Sequence, residues 1–231
     1  MMKLSEFLDK LYLAERSKTL YIQGCFGAPM TPANKKRYSN NLQYNKNRAA
    51  MINACSTDTF GFDCICLVKG ICWGWTGDVN KVYGGAVYKS NGVPDVGADG
   101  VVKLLKDLST DFSTIQVGEL VHMSGHVGVY VGNEEVIECT PKWSNNVQRT
   151  NLGNIGKTYG HYRIWKEHGK LPWIDYGQQE QKQPVYYTVV RGDTLSKIGK
   201  KFGLTLAQLL SMNPQITNPN KIYVGQKIRI K

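Results

Sequence analysis

A polar Asp-Cys step leads from a glycine turn into an apolar run in the sequence Phe60-Gly61-Phe62-Asp63-Cys64-Ile65-Cys66-Leu67-Val68-Lys69-Gly70. Asp63 is a residue type that caps helix N-termini, so the pattern predicts a helix that begins at Cys64. At that position, unpaired backbone N–H groups and the helix dipole favour a thiolate and can also bind an oxyanion. Cys64 is therefore the candidate nucleophile.

A cysteine nucleophile needs a base, and the chain contains four histidines. His126 opens the alternating sequence Gly125-His126-Val127-Gly128-Val129-Tyr130-Val131-Gly132, which predicts a strand. The turn residues that follow, and the apolar run at Glu135–Cys139, predict a hairpin. With a loop of about three residues, residue 126 lies opposite residue 140, and Glu138 becomes its diagonal neighbour on the same face. We expect Glu138 to orient the His126 imidazole.

The remaining cysteines have other interpretations. Cys66, Cys72 and Cys139 are expected to be small buried hydrophobic residues. Structural zinc competes with this interpretation, but the cysteines at 64, 66 and 72 lack the Cys-x-x-Cys spacing of zinc sites. Cys25 is the rival nucleophile, because the glutamine in Gln23-Gly24-Cys25 can contribute to an oxyanion hole.

Composition and charge exclude several classes of protein. The chain has 231 residues, of which 42% are hydrophobic and 20% charged, so it is globular rather than disordered. No stretch approaches the roughly 20 apolar residues of a membrane span. The N-terminal sequence Met1–Leu11 carries interspersed charges, which argues against a signal peptide and predicts an amphipathic helix. Without a secretion signal, reduced thiols are expected.

The positive charge is concentrated in the last part of the chain. From residue 186 onward, eight Lys or Arg stand against Asp193, giving +7 of the formal net charge of +11. The remainder has 21 basic and 17 acidic residues, giving +4. Such a balance suits an anionic polymer, whether nucleic acid or a cell wall with acidic chains.

The periodicities predict an α+β first domain over residues 1–175. One helix layer precedes a meander of strands from residue 118 onward, with another strand at Tyr162-Arg163-Ile164-Trp165. Residues 27–44 are rich in Pro, Asn, Lys and Tyr and predict a basic loop, whereas Asp99 to Leu108 has the spacing of a helix. A Gln-rich linker follows at 176–185, and residues 186–231 show a βααβ order.

The Cys and His motifs resemble those of the NlpC/P60 cysteine peptidases. Phe62-Asp63-Cys64-Ile65-Cys66-Leu67-Val68 is similar to the family's Asp-Cys-Ser-Gly-Leu-Val signature, and Gly125–Gly132 is similar to its histidine strand. Val117-Gly118-Glu119-Leu120-Val121 stands where the family usually has Pro-Gly-Asp-Leu-Val. The resemblance covers roughly residues 20 to 175 and implies a papain-like domain that cleaves peptidoglycan stem peptides, with Cys64 and His126 as the catalytic pair.

Two departures from the family pattern concern the remaining site residues. The family usually has His, Asn or Gln as its third polar residue, and this chain has Glu138, as the related CHAP amidase/peptidases do. Tyr21-Ile22-Gln23-Gly24-Cys25 is similar to the family's Tyr-x-x-Gly-Gly but lies a long insertion away from Cys64. The resemblance implies substrate-binding roles for Tyr21 and for Asp63.

Residues 186–231 resemble a LysM module almost throughout. The matching motifs are Tyr187-Thr188-Val189-Val190-Arg191-Gly192-Asp193-Thr194-Leu195, Leu209-Leu210-Ser211-Met212-Asn213-Pro214 and Val224-Gly225-Gln226-Lys227-Ile228-Arg229-Ile230. The resemblance implies that this module binds N-acetylglucosamine-containing glycans in a shallow groove. Its expected contacts are Gly192, Asp193, Thr194, Leu195, Asn213, Pro214 and Ile216.

Together the two halves predict an endolysin-like peptidoglycan hydrolase that needs no cofactor or metal. We expect cleavage of the bond between γ-D-glutamate and the diamino acid, with the bond between muramic acid and L-alanine as the second choice. Other hypotheses are a non-catalytic wall-binding protein, a cysteine acyltransferase and a nucleic-acid binder. The partner expected is peptidoglycan rather than nucleic acid or membrane, and the chain is expected to be a monomer that is made in the cytoplasm and acts at the bacterial cell wall.

Overall fold

The computed structural model describes residues 1–153, 161–177, 186–213, 216 and 218–230. These residues belong to two units, Met1–Gly177 and Gln178–Lys231. The first unit ends two residues beyond the boundary predicted at 175. The predicted linker at 176–185 lies outside the described residues from 178 onward.

The first unit combines helices and strands, so the predicted α+β class is confirmed. Its helices are α1 (Leu4–Arg16), α2 (Pro32–Asn41), α3 (Gln43–Lys46), α4 (Ala49–Ala54), α5 (Cys64–Cys72) and α6 (Ala98–Val102), with 3-10 turns at Val82–Gly85 and Phe112–Thr114. Its strands are β1 (Met2–Lys3), β2 (Thr19–Tyr21), β3 (Phe26–Pro29), β4 (Phe60–Phe62), β5 (Lys106–Ser109), β6 (Leu120–Met123), β7 (His126–Gly132), β8 (Glu135–Cys139), β9 (Val147–Asn151), β10 (Glu167–Lys170) and β11 (Ile174–Asp175).

Two sheets of the first unit position the residues of interest. A six-stranded antiparallel sheet has the order β5-β10-β6-β7-β8-β9, and a three-stranded sheet has the order β2-β4-β3. In the smaller sheet β4 pairs in parallel with β2, and Tyr21 lies opposite Phe62. Strands β1 and β11 form a separate parallel pair.

Helix α5 is the centre of the first unit, and all nine of its residues are buried. It contacts β7 and β8 of the larger sheet, β3 of the smaller sheet and helix α1. Helix α1 buries Phe7, Leu11 and Ala14, which recur at helical spacing on one face. A helix enclosed on every side holds its first residue, Cys64, in a fixed position.

The insertion between β2 and β4 differs from the sequence prediction. The predicted basic loop at 27–44 contains β3 and the helix α2, which begins because the Thr31 hydroxyl accepts the Asn34 N–H (3.3 Å) and Pro32 occupies the first helical position. Helix α2 buries Tyr38 in a small core with Ile22 and Ile52. The polar composition suggested a loop, but capping and this tertiary packing outweigh it.

Two other predictions are wrong in detail. The helix predicted from Asp99 to Leu108 ends at Val102, and Lys106–Ser109 forms the edge strand β5 instead. The strand predicted at Tyr162–Trp165 has no strand assignment, and β10 begins only at Glu167. In both places the local apolar spacing fits more than one structure, and pairing with the larger sheet decides between them.

The second unit has the predicted βααβ order. Its elements are β12 (Tyr186–Thr188), α7 (Leu195–Phe202), α8 (Leu206–Met212) and β13 (Lys227–Arg229), and β12 pairs antiparallel with β13. Thr194 caps α7, and Thr205 forms a capping box with Gln208 at the start of α8. Its buried core consists of Val189, Leu195, Ile198, Leu209, Ile216 and Ile228.

Candidate active site

Cys64 is the first residue of α5, as the sequence predicts. Asp63 caps the helix, because its Oδ1 accepts the Cys66 N–H at 2.7 Å. Its Oδ2 accepts the Gly24 N–H, also at 2.7 Å, which ties the cap to the turn between β2 and β3. The Asp63 carboxylate therefore fixes the backbone from which the Cys64 side chain projects.

The backbone N–H groups of Cys64 and Ile65 lie close to the Cys64 sulfur. These two groups and the N–H of Val127 in β7 lower the pKa of the Cys64 thiol. The third N–H group of the first turn, that of Cys66, is taken by Asp63. Two N–H groups at the start of a helix, with no other acceptor among the described residues, can stabilise an oxyanion that forms next to the sulfur.

The electrostatics of Cys64 differ from the sequence prediction. Burial raises the pKa of the Cys64 thiol to about 12, and the neighbouring Asp63 carboxylate adds to this increase. The three N–H groups lower the pKa of the thiol but do not compensate for its burial. The side chain is only 7% exposed, so the resting form is a neutral thiol and not the predicted thiolate.

The predicted contact between His126 and Glu138 is confirmed. The Nε2 atom of His126 lies 2.5 Å from Oε2 of Glu138. Val129 pairs with Ile137, the register in which residue 126 would face residue 140. The loop has two residues, Asn133 and Glu134, rather than three, and a bulge between Tyr130 and Gly132 restores the register.

Strand β7, which carries His126, packs against the nucleophile helix α5. Val127, whose N–H group lowers the pKa of the Cys64 thiol, directly follows His126 in the chain. The His126 ring stacks on the indole of Trp165, with the ring centroids 5.6 Å apart and the planes at 15°. Because Nε2–H donates to Glu138, Nδ1 is the nitrogen that accepts a proton in the neutral imidazole. Among the described residues, no hydrogen bond occupies Nδ1.

Glu138 is fully buried and accepts hydrogen bonds from three side chains. Besides His126, Thr150 donates to Oε1 at 2.7 Å, and Arg163 donates to Oε1 at 3.0 Å and to Oε2 at 2.8 Å. Burial by itself raises the pKa of Glu138, but the hydrogen bonds and positive charges of His126 and Arg163 outweigh burial and hold the pKa at about 2. Glu138 is therefore a carboxylate throughout the physiological range.

Sequence reasoning missed Arg163, Thr150 and Trp165 as parts of this site. A signal existed at residues 162–165, which were predicted to form a strand, because alternate residues of a strand face opposite sides. In the structure Tyr162 and Ile164 are exposed, whereas Arg163 and Trp165 are buried. A buried arginine implies a buried carboxylate partner, but the sequence did not indicate which one.

Tyr21 lies near the nucleophile in spite of the long insertion. Burial raises the pKa of its hydroxyl, and the ionisable groups of Cys64 and Asp63 raise it further. Its ring packs edge-on against Tyr44 and under the guanidinium of Arg48. The parallel pairing of β2 with β4 thus brings together residues that the sequence separates. A substrate-binding role for Tyr21 stays a prediction.

The other cysteines are poor candidates for the nucleophile. Cys25 is completely buried in the small core of the insertion, whereas Cys64 is 7% exposed. Cys66, Cys72 and Cys139 are buried, as predicted, and Cys139 donates its S–H to the Phe62 carbonyl at 3.3 Å. Cys64 differs from these four cysteines because it opens a helix that packs against the strand carrying His126.

The histidines outside the pair are packed in structural contacts. His122 bridges Asp99 and Glu167, with 2.9 Å on each side. His168 is buried, and its Nδ1 lies 2.5 Å from Glu119. His161 packs against the ring of Trp143. Among the residues that the structure describes, no group of three or more His, Cys, Asp or Glu is arranged to hold a metal ion.

A cavity of about 430 Å³ lies beside Asp63 in the first unit. Its lining includes Gln23 and Gly24 from the β2–β3 turn, Lys69 from α5, Trp73 directly after α5, and Asp95. The Lys69 ammonium forms an ion pair with Asp95 and donates to the Val96 carbonyl at 2.9 Å. The cavity is large enough for part of a peptide, and it opens next to the cap of the nucleophile helix.

The predicted glycan-binding residues of the second unit separate into two groups. Asp193, Thr194 and Leu195 line a cavity of about 180 Å³, and Gly192 is adjacent in the chain. Asp193 holds the turn, because its Oδ2 accepts the Tyr187 hydroxyl and the Val190 N–H, each at 2.9 Å. Glycan contact for these residues stays a prediction.

Asn213 and Ile216 are buried away from that cavity. Asn213 donates to the Leu209 and Arg229 carbonyls and accepts the Arg229 N–H, so it joins α8 to β13. The structure places Leu206 and the segment at 219–222 on the other wall of the cavity instead. Pro214 lies outside the described residues.

The pKa of Glu138 predicts how stability depends on pH. Its pKa is about 2 in the folded protein, against an ordinary value of 4.5. A lowered pKa stabilises the fold above the ordinary value, and this stabilisation disappears as the pH falls through the folded value. The shift corresponds to about 3 kcal/mol near neutral pH, of which about 2 kcal/mol is lost by about pH 3.

We therefore expect the free energy of unfolding of Glu138→Gln to fall less between neutral pH and about pH 3 than that of the unmodified chain. Denaturant titrations at the two pH values measure the difference. Glu135→Gln is the matched control, because Glu135 lies on the same strand but pairs with Arg149. Equal losses for the unmodified chain and Glu138→Gln would contradict the assigned pKa.

Comparisons with known proteins agree with the two-part organisation. Residues 187–231 match the LysM domain family. The chain is 33% identical over 155 residues to an endolysin of Bacillus phage B103, a match that covers 57% of this chain and 54% of that protein. The chain thus spans about half the length of this curated relative.

Two solved structures, one of a peptidoglycan hydrolase and one of a P60 domain, superpose on about three quarters of the chain. The peptidoglycan hydrolase RipB from Mycobacterium tuberculosis superposes with a TM-score of 0.41 at 14% identity, covering 73% of this chain and 64% of that one. The P60 domain of an antigen from M. avium subspecies paratuberculosis gives 0.41 at 15% identity, covering 73% and 93%. Among the described residues, no helix is long and apolar enough to cross a membrane.

Proposed function

We propose that this protein is a cysteine peptidoglycan hydrolase of the endolysin type, and that its LysM domain holds it on the bacterial cell wall. The observation that carries the proposal is the geometry around Cys64. A thiol at a helix N-terminus, with two N–H groups that lower its pKa, lies on a helix that packs against the strand whose histidine pairs with a buried carboxylate. This is the set of groups that nucleophilic acyl transfer requires.

Because the thiol of Cys64 is neutral at rest, it must lose its proton during the first step. His126 takes the proton of Cys64 at Nδ1 as the sulfur attacks the carbonyl carbon of the stem peptide. The carbonyl oxygen becomes an oxyanion, which the N–H groups of Cys64 and Ile65 stabilise. The imidazolium then donates its proton to the leaving amine, and the carbon–nitrogen bond breaks to give a thioester.

Water completes the reaction by the reverse proton route. His126 removes a proton from a water molecule, which attacks the thioester carbon, and the sulfur of Cys64 leaves and recovers the proton. The products are a carboxylic acid and a free thiol. Glu138 remains ionised and holds Nε2–H, so the same nitrogen, Nδ1, exchanges protons in both steps.

We propose the bond between γ-D-glutamate and the diamino acid as the site of cleavage. The similarity of residues 62–68 and 125–132 to the NlpC/P60 motifs supports this choice. The carboxylate at Glu138 is a feature shared with CHAP amidase/peptidases, so cleavage between muramic acid and L-alanine is the second candidate. The RipB neighbour is itself named a peptidoglycan hydrolase, and the phage B103 relative an endolysin.

The LysM domain would raise the concentration of substrate around the hydrolase. Tethering an enzyme to a polymer turns later encounters into intramolecular ones. The basic charge of +7 from residue 186 onward adds attraction to a wall that carries acidic chains. The glycan contacts that we propose are Asp193, Thr194 and Leu195.

Mass spectrometry of the soluble fragments from purified peptidoglycan tests the function and identifies the bond. New N-termini on the diamino acid support the first choice, and new N-termini on L-alanine support the amidase. Wall binding without any fragment release would leave a non-catalytic binding protein. Transfer of the acyl group to an added amine, in place of hydrolysis, would indicate an acyltransferase.

A further inference from the structure

We propose that Arg163 is a positioning residue that keeps Glu138 from holding His126 permanently as an imidazolium. This inference rests on the proposed function, because His126 must accept a proton to act as the base. Arg163 is buried and contacts Glu138 with two of its nitrogens. It reaches the reacting atoms only through Glu138 and His126.

Arg163 forms a bidentate ion pair with Glu138. Its Nε lies 3.0 Å from Oε1 of Glu138, and its Nη2 lies 2.8 Å from Oε2. Nη2 also donates to the Thr140 hydroxyl at 3.0 Å. Arginine is suited to this geometry, because its rigid fork matches the two oxygens of a carboxylate.

Two further features fix the position of the Arg163 guanidinium. It lies over the ring of Trp143, 4.4 Å from the centroid. The Arg163 backbone packs so closely on Gly153 that a Cβ atom at 153 would lie 1.7 Å from the Arg163 carbonyl oxygen. Gly153 also has a φ of +75°, which favours glycine. The chain therefore constrains both the side chain and the backbone of Arg163.

Charge balance explains why the guanidinium is needed. A buried carboxylate next to an imidazole, without another cation, stabilises the imidazolium strongly in a medium of low dielectric constant. Arg163 already offsets the charge of Glu138, so the carboxylate stabilises the imidazolium of His126 less strongly. On either side of His126 in the chain, the Gly125 N–H donates to the Asp99 carboxylate at 2.7 Å, and the Val127 N–H lowers the pKa of the Cys64 thiol, which the Asp63 carboxylate raises.

The sign of the expected effect follows from this balance. Without the guanidinium, the full charge of Glu138 acts on His126 and the repulsion from Arg163 is lost. Both changes stabilise the imidazolium, so His126 stays protonated up to a higher pH. The acidic limb of the pH–rate profile should therefore move to higher pH when Arg163 is replaced by a neutral residue.

The test compares Arg163→Met and Arg163→Lys by the pH dependence of kcat/KM on soluble muropeptides. We expect Arg163→Met to shift the acidic limb upward by about one pH unit and to lower kcat roughly 10- to 100-fold. Arg163→Lys keeps the positive charge but loses the bidentate geometry. The acidic limb of its pH–rate profile should therefore stay in place, and its kcat should fall less than that of Arg163→Met. An unmoved limb in a folded Arg163→Met variant would overturn the proposal.

Arg149→Met is the matched control. Arg149 is also partly buried and forms ion pairs with Glu15 (2.8 Å) and Glu135 (2.5 Å), but neither carboxylate touches His126. We expect it to lower the thermal midpoint without moving the acidic limb. An equal shift of the limb in Arg149→Met would show that general loss of stability causes the effect, and the positioning role would be rejected.

If Arg163→Met does not fold, a double variant tests the proposal instead. Removing both charges in Glu138→Gln/Arg163→Met leaves no unpaired buried ion. If Arg163 acts through Glu138, the double variant should have the kcat of Glu138→Gln alone, because the second change has nothing left to act on. A further multiplicative loss would mean that Arg163 acts independently, which contradicts the proposal.

The result expected if the proposed function is wrong differs from the result expected if only the role of Arg163 is wrong. In that case the unmodified chain releases no fragments from peptidoglycan and cleaves no muropeptide at any pH, and both proposals are rejected. If the unmodified chain is active, but Arg163→Met has the same acidic limb in its pH–rate profile and the same kcat as the unmodified chain, only the role of Arg163 is rejected.

Discussion

Replacing Cys64 with alanine is expected to lower the rate of fragment release from peptidoglycan at least about 1,000-fold while leaving wall binding unchanged. The alanine removes the atom that forms the thioester, and the N–H groups of the helix terminus remain. Because Cys64 lies on one unit and the LysM domain on the other, retention on insoluble wall material should not change. Turbidity loss of a wall suspension and quantification of released fragments measure the effect.

Cys66→Ala is the matched control for this prediction. Cys66 lies two residues further along the same helix, is also buried, and has a pKa that burial raises well above the ordinary value. We expect this variant to lose some stability but to retain most of its activity. If Cys64→Ala kept the native rate, or if Cys25→Ala abolished release instead, the assignment of the nucleophile would be wrong.

Replacing Glu138 with glutamine should produce the second largest loss, a decrease of roughly 100- to 10,000-fold in kcat/KM. The amide keeps the shape of the side chain but loses the charge that stabilises the imidazolium formed at His126. It can also present an N–H group to Nε2, which would favour the tautomer with the proton on Nδ1. In that tautomer the nitrogen that should receive the thiol proton is already occupied.

Glu138→Gln also leaves the Arg163 guanidinium buried beside a neutral partner, with an expected cost of about 3 kcal/mol or more in the free energy of unfolding. Activity must therefore be measured at a temperature where circular dichroism shows the variant to be folded. Glu135→Gln separates the two effects, because it loses an ion pair with Arg149 on the same strand without reaching His126. A folded Glu138→Gln variant with native kcat/KM would show that Glu138 is not part of the catalytic machinery.

Short-range patterns predicted the elements of the candidate site. The Asp-Cys step located the start of α5, because a capping side chain acts within three residues of the helix end. The alternation after Gly125 and the turn at 133–134 gave the hairpin, and the two-residue period of strands put His126 and Glu138 on one face. These features depend on neighbours in the chain, so they are readable without the fold.

Long-range features were not predictable in this way. The pairing of β2 with β4 brings Tyr21 next to Phe62 across an insertion whose helices the composition did not indicate. Arg163 meets Glu138 across 25 residues. Asn213 and Ile216 match the LysM motif in sequence, yet their side chains are buried, because the packing of α8 against β13 needs them.

The protonation state of Cys64 is the clearest difference between what the sequence determined and what the tertiary structure decided. The sequence by itself determined the helix start and the βααβ order of the second unit, because local hydrogen bonding and apolar periodicity specify them. Its motifs also gave the candidate pair of Cys64 and His126 and the resemblance to LysM modules. Only the tertiary structure decided that burial outweighs the helix terminus and keeps the thiol neutral. Desolvation depends on how many atoms from distant parts of the chain surround a group, and no local pattern records that number.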